Sequence, residues 1–204
     1  KVADLCMLNL LCIACCIPVV TAGASLTALY YVTLKMVRNE EAYIFRSFFK
    51  SFKENFKQAT IINVIMLIVA VLLYLDTNIA GNMGQTTGKI LRMIFAVFTL
   101  LYVMVLLYVY PVLAKFYNSI KNTFKNAFLM AIRHLPFTFL MLVICVCPLA
   151  IFFIPSFQIQ MSLILLFILF GPAVIAYANS HFFVKIFDRY IPKEPDPEEA
   201  EVMP

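Results

Sequence analysis

The chain has 204 residues, of which 63% are hydrophobic and 13% are charged, and its mean hydropathy is +0.92. Soluble domains are about 45–50% apolar and about a quarter charged, so this composition excludes a soluble globular protein. A helical membrane crossing needs about 20 apolar residues, so the length accommodates five or six crossings without a separate soluble domain. The formal net charge of +5 is too small and too dispersed to indicate nucleic-acid binding.

The first apolar block covers residues 5–34 and carries Pro18 and Gly23 near its middle. A single helix of this length would be about 45 Å long, against a hydrocarbon core of about 30 Å. Two interpretations follow: one kinked and tilted helix, or two helices joined by a tight hairpin. We prefer the hairpin because proline and glycine together favour a turn, which gives spans at 5–17 and 22–38.

Four further apolar segments predict spans at 58–75, 90–114, 135–154 and 161–187. The polar, glycine-rich stretch 76–89 is interpreted as a loop, and Gly171-Pro172 predicts a kink in the last span. The acidic, proline-rich tail 188–204 predicts disorder. The sequence thus predicts an all-α, polytopic membrane helix bundle, with residues 1–187 as one transmembrane domain. Six spans are preferred and five are the alternative.

Basic residues predict the orientation of these spans. Six of the 16 Lys and Arg residues fall in 35–57, four in 115–133 and three in 185–193, whereas only Lys89 and Arg92 flank the opposite loop. Because positive charge collects on the cytoplasmic side, we expect these three regions and the C-terminus to be cytoplasmic.

Two segments resemble each other within the chain. Residues 48–59 align without gaps with residues 116–127, and six of the twelve positions are identical. Each copy follows one predicted span and precedes another that runs the opposite way. This pattern predicts a parallel internal repeat of span, cytoplasmic helix and span.

Each copy predicts an amphipathic helix at the cytoplasmic interface, at about 42–57 and 116–132, because phenylalanines recur at helical spacing and lysines occupy the remaining surface. Such helices either lie on the lipid bilayer, where each lysine contributes about 1 kcal/mol with anionic lipid, or dock a partner. The candidate contact residues are Phe48, Phe52, Lys53, Phe56, Lys57, Ile120, Lys121, Phe124 and Lys125.

Catalytic, cofactor and metal sites are not predicted. Cys12, Cys15 and Cys16 share one helical face, but apolar neighbours oppose the thiolates that a metal needs, so we interpret them as small packing residues. No predicted span holds a central carboxylate or histidine, and no hydrolase, metalloprotease or phosphate-binding motif is present. Polar residues inside the spans, such as Asn9 and Asn63, either satisfy helix contacts, which we favour, or line a small cavity.

The run from Asn9 to Val32, centred on Pro18-Val19-Val20-Thr21-Ala22-Gly23, resembles the N-terminal signature of the YesL family, and residues 45–60 are similar to that family's basic, Phe-rich loop. The resemblance implies a multi-pass protein of the bacterial plasma membrane, with no established function, typically encoded beside carbohydrate ABC importers. It supplies no catalytic residues. The absence of Trp departs from the family pattern.

Two functions are therefore carried forward. The first is a non-catalytic accessory or regulatory partner of a carbohydrate ABC uptake system, which would contact transporter subunits through the two cytoplasmic helices. The alternative is a small-solute-binding membrane subunit that resembles the binding components of energy-coupling-factor importers, with a cavity closed by residues 76–89.

Overall fold

The computed structural model describes residues 2–40, 43–83 and 85–191, and within these ranges it contains helices and no strand. Predicted features at residues 1, 41–42, 84 and 192–204, including most of the acidic tail, lie outside the described residues. The α-helices are α1 Val2–Cys16, α2 Ala22–Val37, α3 Ile44–Gly81, α4 Gln85–Lys115, α5 Ile120–Arg133, α6 Leu135–Val146 and α7 Phe157–Phe187. Short 3-10 helices cover Val19–Thr21 and Cys147–Phe153.

The first apolar block forms two helices joined by a turn. α1 ends at Cys16, and Pro18, which has an extended backbone, precedes the 3-10 turn that leads into α2. The Thr21 hydroxyl donates to the carbonyl of Cys15 at 2.7 Å, and the Ser25 hydroxyl donates to that of Cys12 at 2.9 Å. These bonds satisfy backbone groups at the end of α1 and hold the start of α2 against it.

Four helices are long and apolar enough to cross a membrane: Ile44–Gly81, Thr86–Lys115, Leu135–Phe153 and Phe157–Phe187. In the last three, only 11% of the most apolar window is buried inside the protein, so most of their hydrophobic side chains face outward, as they do in contact with lipid. α1 and α2 have 15 and 16 residues, or about 22–24 Å of helix, and are shorter than a usual crossing. The count of six spans therefore remains a prediction.

α3 differs from the predicted division of its sequence. The segments assigned to an interfacial helix at 42–57 and a span at 58–75 form one continuous 38-residue helix from Ile44 to Gly81. No proline or glycine interrupts residues 44–80, so nothing in the sequence breaks the helix at the membrane boundary. Much of the predicted loop 76–89 is also helical, because α3 continues to Gly81 and α4 begins at Gln85.

α2 is the central helix, and eleven of its 16 residues are buried. It packs against α3 through small residues. A Cβ atom on Gly23 would lie 2.6 Å from the carbonyl oxygen of Ala59 and 2.8 Å from the Cβ of Asn63. Close backbone approach at small residues is the usual way in which membrane helices associate.

Pro172 lies inside α7. A proline has no amide hydrogen, so the carbonyl four residues earlier, that of Ile168, lacks its helical donor. The Asn9 side-chain amide supplies that donor at 2.7 Å, and its Oδ1 accepts from the amide of Ala173 at 3.0 Å. Asn9 is completely buried. α1 therefore completes the backbone hydrogen bonding that the proline interrupts in α7.

Candidate functional site

One end of the bundle gathers most of the basic side chains, and we call it the basic end. At this end, the Gln58 side chain of α3 donates to the carbonyl of Asn118 at 2.6 Å, just before α5. Arg38, which follows α2, forms an ion pair with Asp188, which follows α7. Together with the packing of the Phe116 ring on the Phe187 ring at 5.2 Å, these contacts bring the ends of α2 and α7 to the same end of the molecule as residues 48–59 and 116–127, which we call the Phe-Lys segments.

The first segment presents its lysines outward, and its phenylalanines pass from fully buried at Phe48 to exposed at Phe56. Phe48 is fully buried in the core, and Phe52 is half-buried against it, with ring centroids 6.1 Å apart. Phe56 continues the row at 5.5 Å from Phe52 and is 40% exposed. Lys53 and Lys57 are exposed. The predicted amphipathic face therefore packs partly on protein, and its lysines remain available for contact.

The second segment has a different local structure. Residues 116–119 are not helical, and the Ser119 side chain caps α5 by accepting from the amide of Asn122. Ser51, at the matching position of the first copy, is buried inside α3. Ile120 and Phe124 are half-buried and pack on the core, whereas Lys121 and Lys125 are exposed. The lysines are thus exposed in both copies, and the duplication itself remains a prediction.

α5 begins just after Asn118, which contacts α3, and ends beside Tyr190, which follows α7. At its far end the His134 ring hydrogen-bonds the Tyr190 hydroxyl at 3.1 Å, and the Arg133 guanidinium lies 5.8 Å from the Tyr190 ring. Burial, followed by the positive charges of Arg189 and Arg133, lowers the pKa of His134 below its ordinary value. The lowered pKa makes His134, at the point where α5 meets α6, less readily protonated than an ordinary histidine.

The outer face of α5 combines two kinds of surface. Phe128, Leu129 and Ile132 are 40–52% exposed, and the exposed lysines precede them along the helix. An exposed apolar face beside exposed lysines is typical of a helix at the boundary between lipid and water.

A separate cavity of about 380 Å³ lies among α2, α3, α4 and α6. Its lining is mostly apolar, with polar groups from Tyr30, Asn63, Tyr102, Tyr110 and Cys145. Sequence reasoning singled out Asn63 but not the tyrosines. A usable signal was the eight-residue spacing of Tyr102 and Tyr110, because residues two turns apart lie on the same helix face.

The polar residues inside the spans mostly join helices. Asn63 donates to the carbonyl of Val19 at 2.7 Å and accepts from the Tyr110 hydroxyl at 2.9 Å. Thr33 and Ser180 share a hydrogen bond of 2.8 Å between α2 and α7. Asn179 donates to the sulfur of Cys145 at 3.3 Å. These contacts agree with the favoured interpretation that such residues satisfy helix contacts.

The six cysteines are free thiols and form no disulfide bond. Cys12 and Cys16 bring their sulfurs to 4.0 Å, and the Ser25 hydroxyl lies 3.3 Å from the sulfur of Cys12. In the part of the chain that the structure describes, no group of three or more His, Cys, Asp or Glu side chains is placed to hold a metal ion.

Comparison with known proteins gives matches whose descriptions assign no function. Residues 5–77 match the family described as "Protein of unknown function, DUF624". The "Uncharacterized protein YesL" of Bacillus subtilis (strain 168) is 30% identical over 103 residues, which are 50% of this chain and 48% of that protein. The chain thus spans about half the length of the curated relative it matches. No solved structure matches. The two matches confirm the resemblance to the YesL family.

Proposed function

We propose that the protein is a non-catalytic integral membrane protein that acts as an accessory or regulatory partner of a carbohydrate ABC uptake system. The basic end is the docking surface, and it faces the cytoplasm. The observation that carries the proposal is the exposure of Lys53, Lys57, Lys121 and Lys125 on two segments that meet at the Gln58–Asn118 hydrogen bond.

The distribution of basic residues supports the orientation. The regions that meet at the basic end carry most of the lysines and arginines, whereas Lys89 and Arg92 lie where α3 and α4 join at the opposite end. Positive charge near short loops stays on the cytoplasmic side. A cytoplasmic basic end is where a cytoplasmic subunit of a transporter is accessible.

The anchoring of the two segments supports docking. Phe48 and Ala127 are completely buried, so each lysine pair is fixed to the bundle through its own helix. A surface that is held in place before binding loses less conformational entropy when a partner arrives. The uptake system as partner comes from the family resemblance.

The test is co-purification of ABC importer subunits with the tagged full-length chain from cross-linked membranes of its own host. We expect Lys53→Glu/Lys57→Glu and Lys121→Glu/Lys125→Glu each to reduce recovery at least about fivefold, since an exposed ion pair contributes up to about 1 kcal/mol. The control Lys89→Glu/Arg92→Glu makes the same charge change at the opposite end. Equal recovery from all three variants, each folded by its melting curve, would contradict the proposal.

A second candidate is binding of a small solute in the cavity between α2, α3, α4 and α6. Its volume of about 380 Å³ lies at the lower end of the range of about 300–1,000 Å³ for ligand pockets. Tyr30, Tyr102 and Cys145 are polar residues in an otherwise mostly apolar lining, which suits a small, partly polar molecule.

Thermal-shift screening with sugars and vitamins tests this candidate. A ligand at 100 times its Kd stabilises the folded protein by about 2.7 kcal/mol. Leu106→Trp, which fills the cavity, should abolish the shift, whereas Leu100→Trp, on the exposed side of the same helix, should retain it. Failure of every ligand to shift the wild-type melting temperature would reject solute binding.

A further inference from the structure

A smaller and more polar pocket opens at the basic end, between the final turns of α2 and α4. Its volume is about 210 Å³. The side chains that matter to its chemistry are Tyr31, Lys35, Arg38, Glu40, Lys115 and Tyr117. It uses none of the lysines of the Phe-Lys segments, and Tyr117 is the one lining residue that belongs to them.

The lining has an excess of positive charge. Three cations, from Lys35, Arg38 and Lys115, face one carboxylate, that of Glu40. Asp188 pairs with Arg38 from the end of α7, and a net positive charge remains when it is included. Lys35 also lies 5.0 Å from the centroid of the Tyr31 ring. Like charges in one recess repel each other, so an anion between them is favoured.

The residue types suit a phosphate group in particular. The arginine fork offers parallel N–H donors that match phosphate oxygens, and lysines add point charges. Lys35 and Lys115 lie in the last turns of their helices, where they also offset the partial negative charge of the helix ends. That role involves one lysine for each helix, and Arg38 pairs with Asp188; neither contact accounts for the excess of positive charge in one recess.

The position of the pocket suits a ligand at the membrane surface. It lies where α4, an apolar helix exposed along most of its length, ends at Lys115. Tyr117 is 96% exposed beside it, and tyrosines favour the headgroup level of a bilayer. A phosphate can therefore arrive from an anionic lipid headgroup or from a phosphorylated solute in the adjoining water.

We infer that this pocket binds a phosphate group through Lys35, Arg38 and Lys115, and that the phosphate competes with Asp188 for Arg38. Because the pocket and the proposed docking surface use different lysines, phosphate binding can be confirmed or rejected independently of docking to a transporter. The competition also makes a directional prediction: removing the charge of Asp188 strengthens phosphate binding.

Because the chain contains no Trp, a tryptophan introduced at the pocket reports on that site without background fluorescence from other tryptophans. Tyr117→Trp places a single tryptophan at the pocket, and its fluorescence is measured in two preparations of the full-length protein. In phospholipid-free detergent, inorganic phosphate is titrated. In nanodiscs, brominated phosphatidylglycerol is compared with brominated phosphatidylcholine as a quencher.

In the reporter background, Lys35→Gln/Lys115→Gln should weaken binding about tenfold or more, since it removes two of the three cations that attract the anion. Asp188→Asn should strengthen it. Lys53→Gln/Lys57→Gln removes the same charge elsewhere at the basic end and should leave binding within about twofold.

A saturable response to inorganic phosphate identifies a phosphorylated solute as the source, and preferential quenching by brominated phosphatidylglycerol alone identifies a lipid headgroup. Both results support the site if the variants respond as described. The inference is overturned if neither response occurs, if the two lysine pairs have equal effects, or if Asp188→Asn weakens binding.

Discussion

Replacement of Asn9 by leucine tests the connection between α1 and the proline in α7. The substitution keeps a side chain of similar size and removes both polar atoms. It removes the donor that Asn9 supplies to the Ile168 carbonyl and the acceptor that it supplies to the Ala173 amide, at a position where the Asn9 side chain itself is completely buried. We therefore expect the folded state to lose stability.

The expected loss has two bounds. An unsatisfied buried polar group destabilises a soluble protein by about 1–3 kcal/mol, whereas side-chain hydrogen bonds within membrane proteins average about 0.6 kcal/mol. For the two bonds of Asn9, a loss of about 1–3 kcal/mol is reasonable. The free energy of unfolding, measured by denaturant titration in mixed micelles, resolves a difference of this size.

A double-mutant cycle with Pro172→Ala makes the test specific. Alanine restores an amide hydrogen at position 172, so the Ile168 carbonyl regains a donor within α7 and needs Asn9 less. Asn9→Leu should then cost about 1 kcal/mol less in the Pro172→Ala background than in the wild type. Coupling below about 0.3 kcal/mol, the level at which independent sites add, would refute the role assigned to Asn9.

Two further predictions concern packing and pH. Gly23→Ala should destabilise the protein by about 1–3 kcal/mol in the same titration, because the new methyl group meets the backbone carbonyl of Ala59 at 2.6 Å. Ala96→Val, on an exposed face of α4, is the control. An equal loss of stability from both changes would argue against close packing at Gly23. Folding lowers the pKa of His134, so the unfolded chain takes up the proton more readily, and stability should be full above the ordinary pKa of 6.5 and fall as the pH drops below it. His134→Gln should reduce the difference between melting temperatures at pH 7.5 and 5.5, whereas His181→Gln, at an exposed position, should leave it intact; the reverse pattern would assign the dependence to another group.

The phenylalanine and lysine pattern shows which structural features can be predicted from hydrophobic periodicity alone. The spacing of Phe48, Phe52 and Phe56 predicted a helix with one apolar face, and the structure has a helix in which Phe48 and Phe52 pack in or on the core whereas Phe56 is 40% exposed. Periodicity could not reveal whether the face meets lipid or protein, because the two are equally apolar. It also could not locate the helix end, since the sequence changes from amphipathic to fully apolar near residue 58 without a breaking residue.

Composition and hydrophobic runs by themselves determined that this is an all-helical chain with membrane-length apolar segments and clustered basic regions. Those properties depend on the number of apolar residues in each window, which the sequence states directly. Only the tertiary structure decided which distant groups meet: Asn9 with the carbonyl exposed by Pro172, Arg38 with Asp188, and Lys35 with Lys115 at one pocket. Each of these contacts joins residues from different helices, and the way in which helices pack around α2 is set by close contacts such as the one at Gly23 rather than by any periodic signal.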